Sequence, residues 1–215
     1  SSAASDVYKR QAHDLFIIGD EAYREFVYAG EPLQSMGQFE DADENVIVID
    51  TVSKRFSACG ARIGCMISRN KELMAQAMKY AQCRLSVPTL DQVAAAALYT
   101  VGPDYFAAVR EEYKRRRDTV VNKLHEIPGV VCECPRGAFY IMAALPVDDA
   151  DAFQKWLLEE FEDNGDTVMF APGEPFYGTP GKGKNEIRIA YVLKQADLER
   201  AMDLLAKGIA AYNAR

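Results

Sequence analysis

The stretch 46–64, VIVIDTVSKRFSACGARIG, joins a nearly apolar run to a turn that carries a lysine and two arginines. Its first five residues, VIVID, form a short run of four β-branched apolar residues and an aspartate, which is typical of a strand buried on both faces of a parallel sheet. A similar run, LFIIG (15–19), precedes it, and a weaker one, IGCMIS (63–68), follows within the same region. The sequence therefore predicts a sheet with polar side chains at its strand ends.

Helical patterns follow these strands. Residues 70–83 and 89–101 have helical patterns, and we expect Thr89 to cap the second of them. Gly102-Pro103 interrupts the chain before a long amphipathic stretch at 104–127. The alternation of strands and helices indicates an α/β fold.

The pattern divides the chain into three segments. We expect residues 1–11, which lack the features of a signal peptide, to be an extraneous leader or a weakly ordered segment. Residues 12–103 are expected to belong to a large α/β domain, and residues 104–215 to form a smaller one. The smaller domain has four predicted strands, VVCEC, AFYIMAAL, TVMFA and EIRIAYV, and two further helices at 149–164 and 196–212.

Composition excludes several classes of function. The 215 residues carry a net charge of −7 without a basic tract, so binding to nucleic acid through its phosphates is not expected. The apolar run 93–102 is about half of the roughly 20 residues that cross a bilayer, and predicts a core helix instead. The five cysteines fit reduced thiols in the cytoplasm, and none has the spacing of a metal site.

Charged side chains stand where the apolar runs end, and open α/β sheets bind ligands at such strand ends. Asp20 ends the first run, and a buried carboxylate there requires a cation or hydrogen-bond donors. Lys54 follows the second run, and the nearby cations Arg55 and Arg62 disfavour its charged form, which favours a nucleophilic amine.

Two arginines suit anionic ligands. Arg62 offers a planar fork for an anionic oxygen cluster, beside the hydroxyls of Thr51 and Ser53. Arg188 alternates with apolar neighbours on a predicted strand, so it either faces solvent or binds a carboxylate. Taken alone, each of these charged groups is also consistent with a solvated surface residue, and for a Ser-Lys dipeptide that interpretation is the stronger one.

Four motifs together resemble a known family. In the order and spacing of class I/II, aspartate aminotransferase-like enzymes that depend on pyridoxal phosphate, the chain carries DEAY (20–23), TVSKRFSACGARIG (51–64), PRGAFY (135–140) and PGEPFYG...IRIAYV (172–192). The resemblance runs from about Ala12 to the C-terminus and departs at Thr51, where glycine or serine is usual. It implies fold type I, with a partial large domain of mostly parallel sheet and helices and a smaller C-terminal α/β domain.

The resemblance also implies roles for individual residues. Lys54 would form the Schiff base with pyridoxal 5'-phosphate and move the proton at the substrate Cα. Asp20 would face the pyridine nitrogen, and Tyr23 would hydrogen-bond the ring's 3-oxygen. Arg62 would bind the phosphate, together with the hydroxyl of Thr51 or, more weakly, that of Ser53.

In the second domain, Arg188 would hold the α-carboxylate of the substrate. The implied reaction moves an amino group between an amino acid and a 2-oxo acid, and the segment CRLSVPTLDQVAA (83–95) suggests an aspartate/2-oxoglutarate pair. The resemblance further implies a homodimer for the full-length enzyme. Two alternatives share this cofactor chemistry: a pyridoxal-phosphate-dependent β-lyase and the cofactor-binding domain of a transcription regulator.

The length of the chain differs from that of the family it resembles. Family members are roughly twice as long, and the part without a counterpart here lies before Ala12, including the phosphate loop and the aromatic residue that stacks on the cofactor. The chain thus resembles the C-terminal half of such an enzyme. We expect it to be inactive or very weak alone, with exposed apolar faces that favour aggregation.

Overall fold

The two apolar runs that open the chain form neighbouring parallel strands. β1 (Ile17–Asp20) pairs with β2 (Val46–Thr51), and β3 (Gly64–Ile67) adds on the other side of β2 in the antiparallel direction. The sheet therefore has the order β1-β2-β3 and is mixed, where the sequence favoured a mostly parallel sheet. This computed structural model describes residues 3–29, 33–39 and 44–215.

The chain divides into two compact units, Ser1–Ala107 and Ala108–Arg215. The following helices complete the first unit or begin in it: α1 (Ala3–His13), α2 (Val52–Arg55), α3 (Lys71–Arg84), α4 (Thr89–Leu98) and α5 (Pro103–His125). Asn70 caps α3 by accepting a hydrogen bond from the Leu73 amide at 2.8 Å. Thr89, expected as a cap, is instead the first residue of α4.

A helix precedes the first strand of the chain. Residues 1 and 2 of the expected leader lie outside the described ranges, and helix α1 begins at Ala3. Val7 of this helix is buried against Val46 and Val48 of β2. This segment is therefore part of the packing of the first unit.

Burial in the first unit is one-sided. Side chains alternate along β2, with Val46, Val48 and Asp50 buried and the residues between them half-buried. Ile18 of β1 is 68% exposed, and Ala95 is the only buried residue described in α4. The expectations of two-sided strands and of a core helix at 93–102 were therefore wrong, since an apolar run specifies a preference for burial and not the element that covers it.

The second unit contains an antiparallel sheet of the order β4-β5-β7-β6. Its elements are β4 (Val131–Cys132), β5 (Tyr140–Ala144), α6 (Ala150–Glu159), β6 (Ala171–Pro172), β7 (Glu186–Ala190) and α7 (Gln195–Asn213). Fully buried side chains from the sheet and from both helices form its core, among them Ile187, Phe153, Leu157 and Leu205.

The predicted strand TVMFA (167–171) forms only at its end, where Ala171 pairs with Arg188. Upstream, the Thr167 hydroxyl donates to the Leu157 carbonyl at 2.7 Å, and the Phe170 amide donates to the Gln154 side chain at 2.7 Å. The Phe170 amide, a backbone group that would otherwise pair with a strand or water, thus bonds to α6, which accounts for the shorter strand. Within the described ranges, none of the helices combines the length and the apolar character that crossing a bilayer requires.

Asp149 caps α6 and gives the fold a testable pH dependence. Its carboxylate accepts hydrogen bonds from the amides of Asp151 and Ala152 at 2.9 and 3.0 Å. The Ala152 amide is the main cause that holds the pKa of Asp149 below its usual range, with the Lys184 ammonium adding to the effect. We expect Asp149→Ala to lower the free energy of unfolding by about 1 kcal/mol at pH 7.

Because the folded-state pKa is lowered, this stabilisation is present above the unfolded pKa of about 3.8 and is lost as the pH falls through the folded value. Urea unfolding at pH 7 and at a pH well below the folded-state pKa measures the effect, and the two proteins should converge at the lower pH. Asp149→Asn is the matched control, since asparagine also caps helices. An Asp149→Ala variant as stable as Asp149→Asn at pH 7 contradicts the capping role.

Candidate active site

Three polar segments meet at one edge of the first sheet. β1 and β2 are parallel, and the Glu21 amide just beyond β1 donates to the Ile49 carbonyl at 2.9 Å. β3 is antiparallel, with Gly64 at its start opposite Thr51 at the end of β2. The residues that follow Asp20, the turn that carries Lys54 and the loop that carries Arg62 therefore lie at the same edge.

The turn after β2 is tied to the strand β3. Thr51 is the N-cap of α2, and its hydroxyl accepts from the Ser53 amide at 3.1 Å. The same hydroxyl lies 2.7 Å from the Ile63 carbonyl oxygen and 2.9 Å from Ser53 Oγ. Because a carbonyl can only accept, the single Thr51 proton goes to Ile63, and the Ser53 hydroxyl supplies the proton of the other contact. Lys54 is half-buried within this turn.

Arg62 holds an unusual backbone conformation. Its φ of 55° lies in the left-handed region, where it ends the 3₁₀ turn Cys59–Ala61. Its side chain is exposed, and one guanidinium nitrogen donates to the Cys59 carbonyl at 2.9 Å. The guanidinium has five N–H groups, so this one bond leaves donors for an anion.

Asp20 and Tyr23 occupy the end of β1 and the turn after it. Asp20 is exposed, and its carboxylate accepts from the Ala22 amide at 3.1 Å. The half-buried Tyr23 ring packs edge-on against Phe26 at a centroid distance of 6.4 Å. Asp20 is therefore not the buried carboxylate that the sequence predicted, and burial gives it no need of a cation in this structure.

The buried carboxylate at the end of β1 is instead Glu21, which is 5% exposed. It accepts hydrogen bonds from the Ser35 hydroxyl at 2.7 Å and from the Met36 amide at 2.9 Å. Arg24 lies 3.6 Å from its second oxygen. Glu21 thus connects the end of β1 to the segment 35–38, a role that sequence reasoning missed.

A second buried carboxylate, Asp50, meets the arginine that follows the lysine. Arg55 Nη2 donates to Asp50 Oδ2 at 2.6 Å, and Arg55 Nε lies 3.5 Å from Glu25. Two carboxylates therefore surround the Arg55 guanidinium and balance its charge. The expectation that Arg55 acts on Lys54 as an uncompensated cation does not hold. Asp50 and Arg55 are close along the chain, but that closeness does not reveal that the pair is buried.

Arg188 belongs to the second unit, on β7. Its guanidinium lies between two aromatic rings, 4.6 Å from the centroid of Tyr140 and 4.4 Å from that of Phe176. Both rings come from motifs singled out in the sequence, and such contacts stabilise a cation while restricting its movement. The half-buried Arg188 is therefore held in place rather than extended freely into solvent.

The groups of the first unit fit the chemistry of pyridoxal phosphate. A primary amine at Lys54 suits its aldehyde, a carboxylate at Asp20 suits its protonated ring nitrogen, and a guanidinium at Arg62 suits its phosphate. The fit is weakest at Thr51, whose proton is already donated to Ile63. Among the described residues, no group of three or more His, Cys, Asp or Glu side chains is arranged to hold a metal ion.

Comparison with known proteins identifies the family of this chain. Residues 6–205 match the family model described as aminotransferase class I and II, and the chain belongs to this family. An aspartate aminotransferase of Bacillus subtilis strain 168 is 30% identical over 210 residues, covering 94% of this chain and 51% of that protein. A probable aspartate/prephenate aminotransferase of Aquifex aeolicus is 31% identical, covering 91% of this chain and 49% of that protein.

Solved structures show the same fold. The aspartate aminotransferase of Rhizobium meliloti matches with a TM-score of 0.80 and 26% identity over 98% of this chain and 54% of that one. An α-aminoadipate aminotransferase of Thermus thermophilus matches with a TM-score of 0.85 at 23% identity, over 99% of this chain and 54% of that one. The chain has the fold type I architecture of these enzymes and spans about half the length of the curated relatives it matches.

Proposed function

We propose that this chain is part of a pyridoxal-phosphate-dependent aminotransferase that moves an amino group between an amino acid and a 2-oxo acid. The observation that carries the proposal is the placement of the Lys54 turn at the same sheet edge as Asp20 and Arg62. The family match supports the reaction class. The names of relatives favour aspartate and 2-oxoglutarate as the substrate pair.

When bound, pyridoxal phosphate supplies an electron sink that stabilises negative charge at the substrate Cα. Lys54 would bind the aldehyde carbon and would move the proton to and from the substrate Cα. Asp20 would keep a proton on the ring nitrogen. Tyr23 would donate to the 3-oxygen.

Arg62 and the hydroxyls of the Lys54 turn bind the phosphate. Ser53 reaches it by turning its hydroxyl away from Thr51, whereas Thr51 must give up its bond to the Ile63 carbonyl to donate. Arg188, fixed between its two rings, binds the α-carboxylate and so orients the Cα–H bond.

Because the chain spans about half the length of its curated relatives, we propose that it corresponds to the C-terminal half of the enzyme and has little or no activity by itself. The full-length enzyme is proposed to be a cytoplasmic homodimer. One-sided burial of the β1-β2-β3 sheet, with Ile18 68% exposed, supports a role for further polypeptide in completing the large domain.

Amino transfer from aspartate to 2-oxoglutarate tests the proposal, with glutamate as the measured product. We expect this chain with pyridoxal phosphate to form glutamate no faster than its Lys54→Ala variant. The same chain within a protein of family length should form glutamate, and Lys54→Ala should remove that activity. In the protein of family length, ammonia and pyruvate released from cysteine without an acceptor would identify a β-lyase, and cofactor binding without either reaction would favour a regulator.

A further inference from the structure

The turn that carries Lys54 depends on contacts outside its own backbone. Helix α2 has only four residues, Val52–Arg55. So short a helix is unstable in water by itself, because fixing its dihedral angles costs more than its few hydrogen bonds contribute. What holds it must come from neighbouring groups, and the side chain of Thr51 accounts for its first turn only.

Asp50 bonds to both ends of this turn. Its Oδ1 accepts from the Thr51 amide at 2.7 Å, just before the helix. Its Oδ2 accepts from Arg55 Nη2 at 2.6 Å, at the last residue of the helix. One carboxylate therefore spans the helix, and Lys54 lies between its two points of attachment.

Burial makes this pair stronger than a surface ion pair. The side chains of Asp50 and Arg55 are each 11% exposed, and Asp50 belongs to the buried row of β2. Charge-assisted hydrogen bonds are short and directional, and screening by salt is weak away from water. Glu25 lies 3.5 Å from Arg55 Nε and adds a second negative charge beside the guanidinium, and Arg24 lies 3.7 Å from Asp50 at the exposed rim.

We propose that Asp50 and Arg55 are positioning residues for Lys54: the bridge from the Thr51 amide through the Asp50 carboxylate to the Arg55 guanidinium sets where the lysine amine is presented. The inference rests on the proposed function of Lys54, but it concerns contacts formed by the chain itself. Neither residue touches the cofactor in this scheme.

The first test measures how Lys54 is presented. The chain is incubated with limiting pyridoxal phosphate, reduced with borohydride and digested, and the labelling of Lys54 is divided by that of Lys155, a 73% exposed surface lysine. Arg55→Gln and Asp50→Asn should each lower this ratio by about tenfold, as expected for the loss of one charge-assisted hydrogen bond. Arg55→Lys keeps the positive charge but lacks the planar guanidinium with its paired N–H donors. Its labelling ratio should lie between those of Arg55→Gln and the unaltered chain.

Arg24→Gln is the matched control, because Arg24 touches the same carboxylate from the rim and makes no bond to the turn. Its labelling ratio should equal that of the unaltered chain. Urea unfolding of each variant separates positioning from general destabilisation: Arg55→Lys should unfold at nearly the same urea concentration as the unaltered chain and still show a lowered ratio. Equal ratios in the unaltered chain, Arg55→Lys and Arg55→Gln would overturn the proposal.

The second test needs no cofactor. Amide hydrogen exchange at Thr51 and across α2 should speed up in Asp50→Asn and Arg55→Gln and stay unchanged in Arg24→Gln. If Lys54 of the unaltered chain is labelled no better than Lys155, the proposed function fails. Amide hydrogen exchange then still decides whether the Asp50–Arg55 bridge holds the turn. Unchanged exchange in the Arg55 variants would overturn the positioning role. If Asp50→Asn fails to fold, the two Arg55 variants carry both tests.

Discussion

Replacing Lys54 with alanine is expected to remove the borohydride-stable adduct between this chain and pyridoxal phosphate. The amine at position 54 is held in a turn at the same sheet edge as Asp20 and Arg62. The proposed contacts to the ring and phosphate would concentrate the aldehyde at that amine. At limiting cofactor, the unaltered chain should therefore form roughly 100-fold more adduct than Lys54→Ala. Intact mass measures the loss, and peptide mapping locates the label.

Lys155→Ala provides the control for this experiment, because it removes a lysine that is 73% exposed on α6, far along the chain from the site. The adduct should survive this substitution unchanged. Equal labelling of the chain and of Lys54→Ala would contradict the assignment of Lys54 as the cofactor-binding lysine.

Replacing Phe153 with alanine should have the largest effect on stability. The side chain is fully buried in the second unit, where its ring packs edge-on against Tyr212 at 4.9 Å and lies 5.9 Å from Phe170. Truncating a buried phenylalanine costs about 3–5 kcal/mol through lost transfer energy and the cavity that remains. Since domains are stable by only about 5–15 kcal/mol, a large part of the second unit's stability should be lost.

Trp156, the single tryptophan of the chain, stacks on Phe153 at 6.3 Å and reports the unfolding of this unit by its fluorescence in urea. Leu158→Ala is the matched control on the same helix, since Leu158 is 53% exposed, and it should change stability by less than about 0.5 kcal/mol. The packing argument is wrong if the two variants unfold at the same urea concentration.

The elements that sequence predicted well are those set by local pattern. β2 and α7 appear close to their predicted bounds because an apolar run and a helical repeat are properties of consecutive residues. The direction of β3 could not be predicted in this way, since it depends on how the loop after α2 returns to the sheet. The short β6 differed for a similar reason: α6 binds the polar groups upstream of it.

In the candidate site, too, the residues found from sequence are those in local motifs, and the residues missed are those that depend on tertiary contacts. Lys54 and Arg62 were found because their spacing resembles a family motif, and the structure places both segments at one sheet edge. Whether Asp20, Tyr23 and Arg188 take the implied roles stays a prediction. The pair Asp50–Arg55 was missed because burial of a charge depends on its tertiary partner, and the aspartate was counted only as the end of an apolar strand.

The left-handed backbone of Arg62 has a consequence for how this position can change. At a φ of 55°, a residue with a Cβ atom has a conformational energy about 1–2 kcal/mol higher than that of glycine. Glycine would therefore suit the local backbone better. Glycine would also delete the cation proposed to bind the phosphate. The local backbone and the proposed phosphate contact therefore favour different residues at this position: glycine relieves the backbone, and arginine supplies the cation.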